Sequence, residues 1–368
     1  MNQIFPLFCA LSISFILLAS CHRRELTYED NFTVPIVINA DWSDMSSAPT
    51  GMSVYCYPES GEAPTIVITN NISSATVNLL EGTYKILVFN QIPSDFGTIS
   101  FSGMDSYETA EINTVADASK TAKASSEIAR EPEELATATY IDLEISDEVV
   151  QRTMDLRSSG TVTRSEDLVY QSIYVTPKVV IKTTRVTVRI TGIYNFYSSS
   201  ATLYGMADGY NFSEQKSHTS MTTHSLESWS STTYAEDYRE GEITTTFVCF
   251  GLPGQTTTTR SDDYSDWDGM LDIDITLVDK QTIVSESIPL NDKVTTTGDD
   301  SSKSEDTDIT TNVNVDININ SGFTFDDDPT SDDKPIVLPD VESAVGGESS
   351  FDATIDDWGE EERYNLSV

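Results

Sequence analysis

The chain has 368 residues, enough for about two domains at ~150 residues each. Its 60 acidic residues outweigh 21 basic ones, and the formal net charge is −39. That field argues against nucleic acid as a partner and against electrostatic adhesion to an anionic bilayer, while an apolar fraction of 38% argues against wholesale disorder.

Residues 1–21 read MNQIFPLFCALSISFILLASC and carry no charged side chain. The apolar stretch from Ile4 to Ala19 has the length of a signal-peptide core and is short for a membrane span of ~20 residues. Leu18-Ala19-Ser20-Cys21 matches the bacterial lipobox: apolar, small, small, cysteine. Small residues let the segment enter a peptidase, and the Cys21 sulfur takes up diacylglycerol before the cut makes it the new N-terminus. An ordinary cleaved signal peptide or a single membrane anchor is the alternative, and the usual Lys or Arg near the start is missing. Acyl chains contribute ~0.8 kcal/mol per buried CH₂, so two or three of them hold a protein to a membrane. The expectation is a lipid-anchored cell-envelope protein, on the outer membrane, that touches the membrane only through its N-terminal lipid. Beyond Cys9 and Cys21, only Cys56 and Cys249 remain, and both are expected as buried free thiols. Without a CxxC or a Cys/His grouping, no structural zinc is expected.

After this segment the periodicity is β almost throughout. Strands are expected at Val34 to Ala40, Met52 to Tyr57, Thr65 to Thr69, Ala75 to Leu80 and Thr83 to Asn90. Glu81-Gly82 makes the turn of a hairpin between the last two. Ile99 to Phe101 reads as a short edge strand. Residues 108–135 are rich in Ala, Ser, Thr and Glu and read as a linker or long loop. Strands return at Ile173 to Val180, Thr184 to Ile190, Ala201 to Met206, Thr244 to Phe250 and Leu271 to Val278, and finally at Ile309 to Ile319. In the last of these, Val313, Val315, Ile317 and Ile319 share one face and Asn312, Asn314, Asp316 and Asn318 the other. That alternation suits a half-solvated sheet and fixes its register.

The fold expected is all-β: two antiparallel β-sandwich domains after a cleaved lipoprotein signal peptide. The divisions drawn are a signal peptide at 1–21, a first sandwich at 22–144 and a polar linker at 145–168. A second sandwich follows at 169–325, then a loose acidic segment at 326–368. From Asp262 onward there are 29 acidic and 5 basic residues, net −24, so most of the charge belongs to one end of the chain.

Chemistry is sparse. His22, His218 and His224 are the only histidines, and the last two lack metal-pair spacing. They read as satisfied or solvated surface residues. No phosphate loop, HExxH, GxSxG or dinucleotide fingerprint occurs, so no enzyme is expected. No cofactor is expected either, apart from calcium. Asp262-Asp263-Tyr264-Ser265-Asp266-Trp267-Asp268-Gly269 is the best metal-like cluster, with Asp262, Asp266 and Asp268 as ligands for Ca²⁺. It lacks the closing Glu of an EF-hand loop, and a solvated acidic turn is the plainer reading. Trp229, Tyr234, Tyr238, Tyr264 and Trp267 lie in polar loops and are the candidate ligand surface. Trp42 and Trp358 sit at strand ends and read as packing residues.

Several of these pieces recur together in a known group. They are the lipobox, Pro49-Thr50-Gly51-Met52-Ser53-Val54-Tyr55-Cys56-Tyr57-Pro58, Leu80-Glu81-Gly82-Thr83-Tyr84-Lys85-Ile86-Leu87-Val88-Phe89-Asn90 and a terminal Ile355-Asp356-Asp357-Trp358. The chain resembles the fimbrillin-like lipoproteins of Bacteroides and relatives, and among them a domain-of-unknown-function family, number 5119. The resemblance implies two transthyretin-like sandwiches and a structural or adhesive role. The partners it implies are pilus subunits, joined by donor-strand exchange after a cut at an arginine. Arg130, Arg152, Arg157 and Arg164 are the candidate cut sites, but they lie between the expected domains rather than after an early strand. A stalk anchor, a tip-like subunit and a non-polymerising surface protein therefore all stay open. A surface lipoprotein binding a host ligand, a glycan or another soluble ligand is the competing reading.

Overall fold

The structure is a computed structural model that describes residues 32–121, 127–158, 171–234, 236–256, 267–291, 293–298, 313–319 and 335–342. The lipobox, Asp262, Tyr264, Asp266 and Trp358 lie outside the described residues. The chain is nearly all β. It opens with β1 (Val34–Ala40), β2 (Met52–Pro58), β3 (Thr65–Thr69), β4 (Ser74–Leu79) and β5 (Gly82–Asn90). Next come β6 (Ile99–Ser102), β7 (Glu111–Thr114), β8 (Ala116–Thr121), β9 (Glu127–Ala129), β10 (Ala136–Ile145) and helix α1 (Asp147–Ser158). β11 (Gln171–Val175), β12 (Lys178–Val179), β13 (Lys182–Thr191), β14 (Phe196–Ala207), β15 (Gly209–Asn211) and β16 (Lys216–Ser217) follow. Then come β17 (Met221–Leu226), β18 (Ser230–Thr233), β19 (Glu240–Cys249) and β20 (Met270–Leu277). β21 (Ile283–Pro289), β22 (Val294–Gly298), β23 (Val313–Ile319) and β24 (Ile336–Val337) come last.

The first body has three layers. A central sheet, in the order β12-β10-β5-β2-β3, lies between β11-β1-β4 and β16-β15-β7-β6. Because both faces of the central sheet are covered, β2 is a continuous buried run rather than an alternating one. Val54, Cys56, Ile86 and Val88 meet Ile36 and Ile38 in one core cluster. On the other face Phe89 stacks on Phe101 at 5.1 Å and Phe212 at 6.2 Å between ring centroids.

The second body has two layers: β18-β19-β13-β23-β22 and β21-β20-β14-β17-β9-β8. Here strands alternate. Val186, Val188 and Ile190 of β13 face Leu271, Ile273 and Ile275 of β20 across a separate core. Val315, Ile317 and Ile319 join the same core, as their alternation predicts. Cys56 and Cys249 are free and buried.

Three expectations are corrected. Residues 108–135 are not a loop: β7 pairs with β6 and β15 in the first body, and β9 joins β17 in the second. These strands are short and polar because they sit at or near sheet edges, so they carry little apolar signal. The polar stretch 145–168 contains α1 rather than a bare linker. Ser146 O accepts from the Val149 and Val150 amides, and Asp147 and Glu148 suit the N-terminal end of the helix dipole. Val149 and Val150 enter the first core, and β11 then pairs with β1 in parallel, so the first body continues past residue 168. The acidic segment from 326 is not loose throughout. β24 lies parallel to β13, with Ile336 and Leu338 buried at 7% and 4% exposure.

Candidate functional site

β13 ends at Thr191, and Gly192 takes the chain around with φ +82. A side chain there would meet the Leu338 carbonyl at 2.6 Å, so this turn and the docked β24 segment require glycine. Leu338 N donates to Thr191 O at 2.8 Å, and Ile193 N donates to Arg239 O at 3.1 Å. These bonds bring three segments to one corner of the second body. The turn after β13 supplies Tyr194, the β18–β19 loop supplies Tyr238 and Arg239, and the C-terminal segment supplies Asp340.

Tyr194 and Tyr238 are 45% and 66% exposed, with ring centroids 6.1 Å apart and planes tilted by 48°. The Arg239 guanidinium lies 5.8 Å from the Tyr238 ring centroid. Tyr194 OH donates to Asp340 Oδ1, and Asn195 Nδ2 donates to the same oxygen at 3.2 Å. Those donors hold the Asp340 carboxyl below its usual range, and the carboxylate in turn raises the Tyr194 hydroxyl. Tyr234 is half-buried and donates to Glu242 Oε2 at 3.2 Å, with the Arg189 guanidinium 5.7 Å from its ring. Burial first, and then Glu242, raises the Tyr234 hydroxyl. Two open aromatic faces, a cation and a carboxylate can stack on and hydrogen-bond a polar ligand.

Of the residues named from sequence, Tyr238 lies in this corner, while Tyr234, just after β18, sits against Glu242 and Arg189. Trp267 lies in neither place: it is 6% exposed and its Nε1 donates to Gly205 O at 2.6 Å. It fills the second core, which corrects its reading as a ligand platform. Trp229 is half-buried against the same core, with Nε1 on Leu226 O at 3.1 Å. Asp268 is exposed, and among the described residues no three His, Cys, Asp or Glu side chains group to hold a metal ion. Tyr194, Arg239 and Asp340 were not foreseen. Tyr194 is flagged in sequence only by its aromatic neighbours Phe196 and Tyr197, and Asp340 depends on a pairing 145 residues away.

A family model described as Domain of unknown function (DUF5119) matches residues 20–227. The chain belongs to this family. The DUF5119 segment spans the first body and reaches the end of β17, so Tyr194 lies inside it and Tyr234, Tyr238 and Asp340 beyond it. Among solved structures, the chain is similar to a protein described as a candidate adhesin from Bacteroides ovatus ATCC 8483. The TM-score is 0.50 and the identity 17%, covering 70% of this chain and 83% of that one. That likeness is one of fold. It is also similar to the fimbrial anchor protein Mfa2 from Porphyromonas gingivalis, at TM-score 0.36 and 13% identity, covering 66% and 77%. A candidate adhesin from Bacteroides thetaiotaomicron matches at TM-score 0.39 and 12% identity, covering 70% and 79%. No curated protein matches the chain in sequence.

The remaining polar groups of the DUF5119 protein are spread out. His218 sits between Asp208 Oδ1 at 3.0 Å and Glu111 Oε2 at 3.5 Å, and holds the Asp208 carboxyl low. His224 is neither satisfied nor solvated, contrary to its reading as a surface residue. It is 1% exposed, neither ring nitrogen has a hydrogen-bond partner among the described residues, and burial pushes it down to about 4. Arg152 and Arg157 lie inside α1, Arg130 is exposed just after β9, and Arg164 is outside the described residues. A separate surface hollow of about 300 Å³ lies against Tyr140, Tyr174, Lys178, Tyr210 and Gln215.

Proposed function

We propose that this DUF5119 protein is a lipid-anchored component of the bacterial cell envelope with a structural or adhesive role. It acts either as a pilus-associated, fimbrillin-like subunit or as a β-sandwich presented at the surface. The observation that carries the reading is the fold likeness to the B. ovatus candidate adhesin over 70% of the chain. The Leu18-Ala19-Ser20-Cys21 lipobox supports the anchor, with outer-membrane attachment through lipid alone. The acidic body is then held off an anionic envelope by its tether. Catalysis forms no part of this reading. Membrane fractionation and protease treatment of intact cells test it. The native protein should sediment with membranes and be cut from outside, and Cys21→Ser should release it to the soluble fraction. Retention of Cys21→Ser on membranes sinks the lipid anchor. Full protection from external protease, with no protein in sheared surface material, sinks the surface role.

A second reading, a surface lipoprotein binding a glycan or another soluble ligand, is favoured by the exposed Tyr194–Tyr238 pair beside Arg239 and Asp340. A sugar array probed with the native protein and with Tyr238→Ala separates the two readings.

A further inference from the structure

β3 reads Thr65-Ile66-Val67-Ile68-Thr69, the same in both directions about Val67. It is the outermost strand of the central sheet, and among the described residues it pairs only with β2. Ile66 and Ile68 are 48% and 47% exposed, while Val67 packs against the first core. Such an edge offers unpaired backbone groups and is a template for one more strand. Sheets ordinarily guard an edge with charge, yet from Ala63 to Leu80 no side chain is charged. This stretch includes β4, the outer strand of the adjoining layer. In a chain of net charge −39, two copies repel over most of their surface, and this uncharged side is one where they can approach.

The palindrome decides the partner. Antiparallel pairing about a two-fold axis at Val67 sets Thr65 opposite Thr69, Ile66 opposite Ile68 and Val67 opposite its own copy. Each of these is a favourable cross-strand pair, and the interface is self-complementary. We propose that β3 is the contact through which two copies of this chain pair, edge to edge and antiparallel. Five residues a side fall well short of the ~20–30 of a stable interface, so the dimer is weak and depends on concentration. Screening the net charge strengthens it, so association rises with salt.

Cysteine cross-linking of the full chain in detergent tests the register. Val67→Cys should form a disulfide dimer with itself under mild oxidation. Ile66→Cys and Ile68→Cys should cross-link when mixed but not alone, because like positions then sit ~7–8 Å apart on the diagonal. Cys56 and Cys249 are buried, and the unsubstituted chain is the control. In sedimentation velocity the native chain should show a salt-strengthened dimer that is lost in Ile66→Lys. Circular dichroism checks that this variant stays folded, with Ile68→Thr as the milder alternative. No Val67→Cys dimer above the control overturns the proposal. So does a native dimer that survives Ile66→Lys.

Discussion

In the first body β2 is buried along all but its last residue, whereas β20 in the second alternates buried and half-buried positions from end to end. The first sheet is covered on both faces and the second on one, so the same kind of strand is written as an apolar run in one place and as an alternation in the other. The two cores also treat polar groups differently. In the first, Ser53 Oγ donates to Gln91 O at 2.6 Å. Asn90 donates to Glu134 O at 3.0 Å and accepts from the Ala136 amide at 2.8 Å. The Tyr57 hydroxyl, by contrast, has no hydrogen-bond partner among the described residues. The second body buries Lys182 and His224, whose side-chain nitrogens have no hydrogen-bond partner among the described residues. The double-sided core therefore draws on packing and internal hydrogen bonds, and its buried Cys56 thiol, pushed up to about 12, matters only in alkali, whereas the single-sided one carries nitrogens whose burial makes stability depend on pH from about 4 upward.

The sharpest way to break the first half of that comparison is Phe89→Ala. Phe89 is fully buried between Tyr55, Phe101 and Phe212, and so joins the central sheet to the outer layer. Its truncation should cost ~3–5 kcal/mol in denaturant unfolding. It should also loosen β6 and β7, seen as faster amide exchange there. A loss below ~1 kcal/mol would mean that the outer layer packs on the central sheet only loosely.

The same contrast explains what was legible in the sequence. The strands of the two cores are visible because runs such as Tyr84 to Phe89 and alternations such as Leu271 to Leu277 record burial directly. The edge strand β8 and its three-residue neighbour β9 are not, because an edge next to solvent tolerates Ala, Ser and Lys and three residues are too few to show a period. The candidate corner was half legible. Tyr234 and Tyr238 stand out as aromatics in a polar loop, but Tyr194 reaches the corner through the bonds of Gly192 N and Ile193 N to Arg239 O, and Asp340 through the docking of β24 on β13, which no local pattern encodes. Trp267 misled for the opposite reason. Its polar flanks describe a loop, while Gly205 and Gly269 leave room for its indole in the core.

Lys182 tests the second half of the comparison. It is 2% exposed, and burial holds its amine down to about 8 although Asp44 pulls the other way. A lysine whose folded value lies below its free value costs stability in full below pH 8. The cost fades as pH rises from 8 towards 10.5. A displacement of that size corresponds to about 3 kcal/mol. Lys182→Met should therefore stabilise the protein by up to ~3 kcal/mol at pH 7. The gain should shrink in alkaline denaturation series. Asp44 keeps its bonds to Lys178 Nζ and the Val179 amide, so the variant strands no carboxylate. A Lys182→Met protein less stable than the native one at pH 7 would show that the amine is paid back by a partner within the fold.

His224 should give the smallest effect, confined to acid. Its ring lies 5.1 Å from Phe247, and burial sets its folded value at about 4 against 6.5 when free. Below pH 6.5 the unfolded chain takes up a proton that the folded chain refuses, so stability falls as pH drops through the window from 6.5 to 4. The slope is ~1.4 kcal/mol per pH unit, which gives about 2 kcal/mol by pH 5. Above pH 6.5 both states hold the ring neutral, and His224 adds no pH dependence. His224→Leu keeps a side chain of similar bulk against Phe247 and removes two nitrogens that have no hydrogen-bond partner among the described residues. It should flatten the curve between pH 6.5 and 5 while leaving the steeper carboxylate loss below ~4.5 in place. Parallel curves for the native protein and His224→Leu across that window would mean that the ring reaches solvent and takes up its proton in the folded chain as well.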